Sequence, residues 1–302
     1  SLQQPAPGTL TPPETFMDAR HLNPFHILRN RHRILPTLGR WRRQLGIPWT
    51  PSDQRLRQLK DSLRGRRAVI LGNGPSLKIP DLHRLRGEVT FASNKIFLAF
   101  DQTEWRPTFY SVTDRLVASN NAARIRELKL EKILSDFTLP FLPECADITW
   151  VHERVRNSFA FEHASEEDAR KPAPYFSTNA FVGVDSGDTV IYFQLQLAYF
   201  FGIREVYLIG VDFSFNTPTT VVDTGILTQQ KGLVSQGEVN HFHPDYRKAG
   251  EVWGVPRLDR QYRAFLRARL AFEEGGGAVF NASRQTKLDA FERRDFDATF
   301  PP

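Results

Sequence analysis

From Arg66 onward, short apolar runs recur along the chain, each bounded by turn-forming or charged residues. They predict strands at Ala68–Leu71, Val89–Ser93, Thr108–Val112, Lys132–Ser135, Ile148–Val151, Glu205–Ile209 and Ala278–Phe280. Longer stretches between them predict helices at Asn120–Leu128, Thr189–Phe201 and Leu258–Glu274. Alternating strands and helices predict an α/β, Rossmann-like fold: a mostly parallel sheet with helices on both faces. The stretches 153–177 and 214–250 carry no clear period. The second of them is expected to form a lid-like loop over the site.

Before Arg66 the pattern is different. Residues 1–15 are rich in Pro, Gln and Thr and read as disordered. Residues 16–65 read as a basic helical extension, interrupted at Pro36 and Pro48. The expected organisation is therefore a tail, an extension, and a catalytic domain over 66–302.

Charge sharpens the view of the extension. The chain has a net charge of +6, and its arginines crowd near the start, from Arg29, Arg31 and Arg33 to Arg64, Arg66 and Arg67. Apolar residues such as Ile27, Leu35, Leu38 and Trp41 are interleaved with them. Such a segment can pack on the core as a solvated helix, steer an anionic substrate, or rest on an anionic membrane surface. Nucleic acid is not among the expected partners. Cys145 is the only cysteine, which excludes an intrachain disulfide and favours a reducing compartment. The longest apolar run, Val190 to Ile203, is too short to span a bilayer. The expected location is the cytoplasm, with peripheral contact at the inner face of the membrane through residues 16–64.

The most informative stretch is Ala68-Val69-Ile70-Leu71-Gly72-Asn73-Gly74-Pro75-Ser76-Leu77. It reads as a buried strand ending in a glycine turn, with a helix opening at Ser76. In open α/β sheets ligands bind at such strand ends, where backbone N–H groups can meet a phosphate. Neither the dinucleotide fingerprint nor a P-loop fits, because Leu77 stands where a third glycine belongs and no Gly-Lys-Ser/Thr run follows. A turn with no ligand is the competing reading.

Other candidates sit at later strand exits. Asn94 and Asp114 would face the same crevice or act as helix caps. Asp185-Ser186-Gly187 precedes an apolar helix, so Asp185 or Ser186 is expected to cap it beside an anion site. Asp212 closes the strand Glu205–Ile209 and either meets a sugar hydroxyl, orients a histidine, or is satisfied by backbone N–H groups. Asn240-His241-Phe242-His243-Pro244-Asp245-Tyr246 is the densest polar cluster. In an extended segment His241 and His243 would point the same way, and either could act as a general base. His-x-His can also hold a metal, but no further ligands are suitably spaced, so no metal is expected. Asn281 and Ser283 either complete the rim or cap the last helix.

Together these motifs resemble the bacterial CMP-sialic acid sialyltransferases and the broader group called MptE-like, after the archaeal hydroxymethylpterin diphosphokinases. The resemblance covers about residues 66–296. The shared motifs are Gly72–Leu77, the strand ending at Asn94, Asp185-Ser186-Gly187 and Tyr207–Phe213. Asn240–Tyr246 and Phe280-Asn281-Ala282 are closer to the broader group. The resemblance implies an inverting glycosyltransferase that moves an acid sugar (sialic acid, Kdo or a related ulosonic acid) from a CMP-activated donor to a hydroxyl of a bacterial surface glycan or glycolipid. It implies no required cofactor. Gly72, Asn73, Gly74, Pro75, Ser76, Asn94, Asp114, Asp185, Ser186, Gly187, Tyr246 and Asn281 would contact the donor, and His241, His243 and Asp212 would carry catalysis. The sialyltransferases place phosphate-stabilising tyrosines just after the Asp-Phe pair. Here Ser214, Phe215 and Thr220 occupy that stretch, and Tyr246 or Arg247 is the candidate substitute. The alternatives are a diphosphokinase using ATP and Mg²⁺, and a nucleotide-binding module without catalysis.

Overall fold

The computed structural model of the chain describes residues 41–142, 145–154, 176–223 and 231–302. The chain divides into two units, Ser1–Ile47 and Pro48–Pro302. Of the first, only residues 41–47 are described, and they include one helical stretch at 41–44. The tail at 1–15 and the basic extension up to residue 40 lie outside the described residues.

The second unit opens with α1 (Pro51–Leu59). Its start is a capping box: Thr50 Oγ1 accepts from the Asp53 amide, and the Asp53 carboxylate accepts from the Thr50 amide. Leu56 and Leu59 of α1 are buried in the core, and Ser52 Oγ accepts from the Trp150 amide at 2.9 Å. This unit therefore begins earlier than the boundary expected at 66, because α1 buries its apolar side on the sheet.

Eight parallel strands form the main sheet: β1 (Arg67–Leu71), β2 (Val89–Ser93), β3 (Phe109–Ser111), β4 (Lys132–Ser135), β5 (Ile148–Val151), β8 (Glu205–Ile209), β12 (Ala278–Asn281) and β13 (Glu292–Arg293). Their order is β13-β12-β8-β1-β2-β3-β4-β5. Every pairing is parallel, with Ala68 opposite Val89 on one side and Val206 on the other. Strand bounds match the hydrophobic pattern closely; β2, β4, β5 and β8 begin and end where it predicts.

Alternate residues of each strand feed two cores, as the pleat requires. Ala68 and Ile70 face α1, α4 (Val190–Phe200) and α5 (Leu258–Glu274). Val69 and Leu71 face the opposite layer, which contains α2 (Arg115–Asn120), α3 (Ala122–Glu127), α6 (Phe296–Thr299) and the 3₁₀ segments Ile79–Leu85 and Asn94–Ala99. A sheet covered on both sides reads as continuous apolar runs, which is why these strands are visible in the sequence.

The differences from expectation are local. The helix expected at Asn120–Leu128 is two short helices, α2 and α3, meeting at Asn121, whose side chain donates to the Val117 carbonyl at 2.8 Å. The stretch expected to be irregular after residue 214 contains a three-stranded antiparallel ladder of β9 (Val221–Asp223), β10 (Lys231–Val234) and β11 (Val252–Gly254). A small parallel pair joins β6 (Glu153–Arg154) to β7 (Val184–Asp185).

Candidate functional site

The strand order reverses between β1 and β8, so their C-terminal ends part and leave a crevice. A cleft opens there. Its walls are the glycine loop Gly72–Gly74, the β2 exit at Ser93 and Asn94, and the β8 exit from Gly210 to Phe215. The start of α4, Asn240, His241 and Tyr246 complete it, with Gln261 and Phe265 of α5.

The glycine loop is built differently from a phosphate cradle. The Gly72 amide donates to the Ile209 carbonyl at 2.8 Å and the Gly74 amide to the Gly210 carbonyl at 2.9 Å. The Ser76 amide donates to Asp212 Oδ2 at 2.8 Å, and its hydroxyl donates to Asp212 Oδ1. These N–H groups are thus committed to the β8 exit. The two glycines are explained by the same crossing: a Cβ on Gly72 would collide with the Gly210 carbonyl, and one on Gly74 would lie 2.7 Å from Asp212 Cγ. The α-helix expected at Ser76 is absent; Gly74–Ser76 form a turn and a 3₁₀ segment follows from Ile79. Asp212 is therefore a clamp, held by one backbone N–H and one hydroxyl, both of Ser76. Burial raises its pKa while the Ser76 hydrogen bonds lower it.

Two asparagines give the cleft its polar character. The Asn73 amide nitrogen faces the Ser93 carbonyl at 3.2 Å and hydroxyl at 3.3 Å. Since the carbonyl can only accept, this fixes the amide orientation and turns Asn73 Oδ1 away from Ser93. That oxygen and Asn94 Oδ1 are buried without a hydrogen-bond partner among the described residues. Asn94 has a left-handed backbone, φ +54°, held in part by Tyr110, whose hydroxyl donates to the Asn94 carbonyl at 2.7 Å. Phe213 on the opposite wall also has φ +54°, which a bulky residue rarely adopts, and its ring packs on Tyr262 and Phe265. Strain of this kind gathers at ligand sites.

The histidine loop is tied to both walls. The Phe242 amide donates to the Asn73 carbonyl at 3.0 Å, and the Asn240 side chain pairs with the backbone of Asn216 at 2.7 and 2.8 Å. The His241 ring stacks flat on Tyr246, centroids 3.8 Å apart and planes 5° from parallel. The Tyr246 carbonyl accepts from Lys95 Nζ at 2.7 Å, and Lys95 also pairs with Glu251 at 2.6 Å. Burial first, then the charges of Arg247 and Lys95, lower the His241 pKa from the usual imidazole value to about 2. Burial also raises the Tyr246 pKa. His241 is therefore neutral at physiological pH and, as it stands, a weak base.

The structure does not point the two histidines the same way. His241 lines the cleft; His243 accepts from the Asp245 amide through Nδ1 at 3.1 Å and caps the short 3₁₀ turn Pro244–Tyr246. Of the other expected contacts, Gly72, Asn73, Gly74, Asn94, Asp212, His241 and Tyr246 line the cleft, whereas Pro75 and Ser76 sit behind it. Asp114 caps α2 by accepting from the amides of Leu116 and Val117. Asp185 is buried and ion-paired with Arg154 at 2.9 Å, and Thr189, not Asp185 or Ser186, caps α4. Gly187 is a packing glycine, since a Cβ there would lie 2.5 Å from the Tyr192 ring. Asn281 is fully buried and holds the turn to Ser283 and Leu288; Ser283 Oγ in turn accepts from the Val211 amide. These residues support the site rather than line it.

Several groups near the strand ends escaped sequence reasoning. Lys95 reads as a surface residue, but its side chain is buried beneath Tyr246. Glu153 is buried, and its pKa is raised to about 7, chiefly by desolvation. Beside it, His152 Nδ1 meets Asp136 at 2.7 Å. Only the polar residues after a predicted strand end could have flagged Asp136 and His152, and that signal is common to every strand of the sheet.

A family described as 6-hydroxymethylpterin diphosphokinase MptE-like matches residues 48–218, more than half of the 302-residue chain. The chain belongs to the MptE-like family. Its match begins at the start of the sheet unit and ends just past the β8 exit, so it takes in the glycine loop, Asn94 and Asp212 but not the histidine loop. A search of curated proteins returns no match. Among solved structures, the MAf glycosyltransferase from Magnetospirillum magneticum AMB-1 is similar at 13% identity and a TM-score of 0.42. That likeness covers 91% of this chain but 41% of the other, so this chain spans less than half of that protein's length.

Proposed function

We propose that the chain is a transferase whose cleft binds a nucleotide-activated donor, with a CMP-activated acid sugar as the donor class and a glycan or glycolipid hydroxyl as acceptor. One observation carries this reading: Asn73 Oδ1 and Asn94 Oδ1, from the exits of the adjacent strands β1 and β2, belong to residues that line the cleft and are buried acceptors without partners among the described residues. A buried acceptor left unpaired costs about 1–3 kcal/mol. A nucleoside offers the matching donors, in ribose hydroxyls and in the exocyclic amine of cytosine. The adjoining histidine loop is neutral or cationic, since His241 is uncharged and its pKa responds to the charges of Lys95 and Arg247.

In this reading His241 takes the acceptor proton. Its basicity is low because two cations and burial disfavour the imidazolium. A donor phosphate brings a negative charge beside the ring and restores basicity, so proton transfer is coupled to donor binding. Contact between residues 16–64 and an anionic membrane is a separate proposal. No helix among the described residues is long and apolar enough to cross a bilayer.

The family description favours a second reading, pyrophosphate transfer from ATP. Mg²⁺-nucleotide sites rest on carboxylates. The one carboxylate on the cleft wall among the described residues, Asp212, is held by Ser76, and no cluster of three potential metal ligands occurs among those residues. The described residues do not fit that group. Thermal unfolding with CMP, CDP and ATP plus Mg²⁺ separates the readings. A rise in Tm with CMP supports the first, and a rise with ATP and Mg²⁺ alone overturns it.

A further inference from the structure

We propose that Arg247 is the anion-binding residue of the cleft, holding the phosphate of the bound donor through a guanidinium edge held ready by Trp253. This rests on the nucleotide-donor reading above and extends it to the group that leaves.

Arg247 follows Tyr246 in the histidine loop. Its guanidinium lies 3.8 Å from the centroid of the Trp253 ring on β11. Stacking fixes the plane of the fork and strips water from one face. Nη1 is buried and has no hydrogen-bond partner among the described residues. Desolvation lowers the Arg247 pKa, the direction expected for a cation without a close counterion.

The carboxylates that feel its charge are Glu251, Glu238 and Asp114; none is ion-paired with it among the described residues, although Glu238 Oε1 is itself buried without a hydrogen-bond partner. Glu251 pairs with Lys95 at 2.6 Å. Glu238 Oε2 accepts from the Gln236 amide at 2.7 Å and from the Ser235 hydroxyl at 3.1 Å. Asp114 caps α2. A desolvated cation with no ion pair among the described residues is costly to keep, and an incoming phosphate would remove that cost while matching the fork in two-pronged geometry.

The position fits. On one side Arg247 adjoins Tyr246, and its charge reaches His241; both of these line the cleft. On the other, Trp253 packs 6.0 Å from Phe215, a third lining residue. The stacked pair thus adjoins lining residues of the cleft on two sides.

The test is calorimetric titration of the 302-residue chain with cytidine, CMP and inorganic pyrophosphate, using wild type, Arg247→Gln and Arg247→Lys. Wild type is expected to bind CMP at least about tenfold more tightly than cytidine. Arg247→Gln should lose that preference while keeping its affinity for cytidine, and Arg247→Lys should fall between them. If Arg247→Gln keeps the full preference for CMP, the assignment is wrong and the donor reading stands. If wild type binds neither cytidine nor CMP, the donor reading fails, and pyrophosphate decides Arg247 alone: binding lost in Arg247→Gln upholds it, and binding unchanged or absent in wild type overturns it. Should Arg247→Gln not fold, the same comparisons apply to Arg247→Lys, whose single ammonium cannot reproduce the fork.

Discussion

Asp212, at the exit of β8, grips Ser76 twice, through the backbone amide at 2.8 Å and through the side-chain hydroxyl. The two chain crossings that frame the cleft are therefore locked by one carboxylate. Hydrogen bonds to a charged group contribute about 1.5–3 kcal/mol. Asp212→Ala is expected to lower unfolding free energy by about 2–3 kcal/mol in denaturant melts. Asp212→Asn keeps one acceptor and should lose less. Donor binding by folded Asp212→Asn should stay within a few-fold of wild type, and abolished binding would show that the carboxylate meets the ligand.

The glycine loop makes a sharper prediction about backbone space. In Gly74→Ala the new methyl would lie 2.7 Å from Asp212 Cγ and 2.8 Å from the Gly210 carbonyl oxygen. Neither neighbour is free to move, so the variant should lose at least about 2–3 kcal/mol. Gly87 is the control: it has φ +84° and nothing within 4 Å, so Gly87→Ala should lose only about 1 kcal/mol. Equal losses at the two sites would contradict the crossing argument.

His241 should make the fold acid-sensitive. Its folded pKa, about 2, lies below the unfolded value, so its contribution is complete above about pH 6.5 and declines as pH falls toward 2. By pH 5 the loss should reach about 2 kcal/mol relative to pH 8. His241→Asn should flatten the stability profile between pH 8 and pH 5, although it also forfeits the stack on Tyr246. An unchanged slope would mean that the ring is protonated in the native state.

Glu153 should act with the opposite sign. Its folded pKa is raised to about 7, so its contribution is complete below about pH 4.5 and is lost as pH rises through 7. Glu153→Gln cannot ionise and should be the more stable protein at pH 8, by up to about 3 kcal/mol. The advantage should vanish near pH 4.5. A Glu153→Gln variant less stable than wild type at pH 8 would show that the ionised carboxylate is favoured there.

The sheet was legible because its strands are buried on both faces and leave continuous apolar runs, as Val89–Ser93 and Glu205–Ile209 do. The strands β6, β7 and β13 were not, because two residues are too few to show a period, and Glu292–Arg293 is exposed and polar besides. In the site, Gly72, Gly74 and Asp212 line the cleft as well as holding its walls together, whereas Asp114 and Asn281 serve as a cap and a turn support. Asp114 and Asn281 look like ligand contacts in sequence because turns and caps use the same residue types as binding sites. Only the partner residue across the fold separates the two uses, and Ser76 and Asp212 lie far apart along the chain. The opposite error concerns Lys95 and Trp253, whose importance comes from stacking and burial that no local pattern records.

The central position of β1 between β2 and β8 has a consequence for biosynthesis. β1 meets β2 soon after it is made, but its other edge stays open until the chain from Gly72 to Arg204 has followed. At ribosomal speed that interval is on the order of 10 s. During it the apolar run Ala68–Leu71 presents unpaired backbone to any passing strand. Nascent chains halted before Glu205 should therefore be the ones that chaperones hold, and release should coincide with emergence of β8.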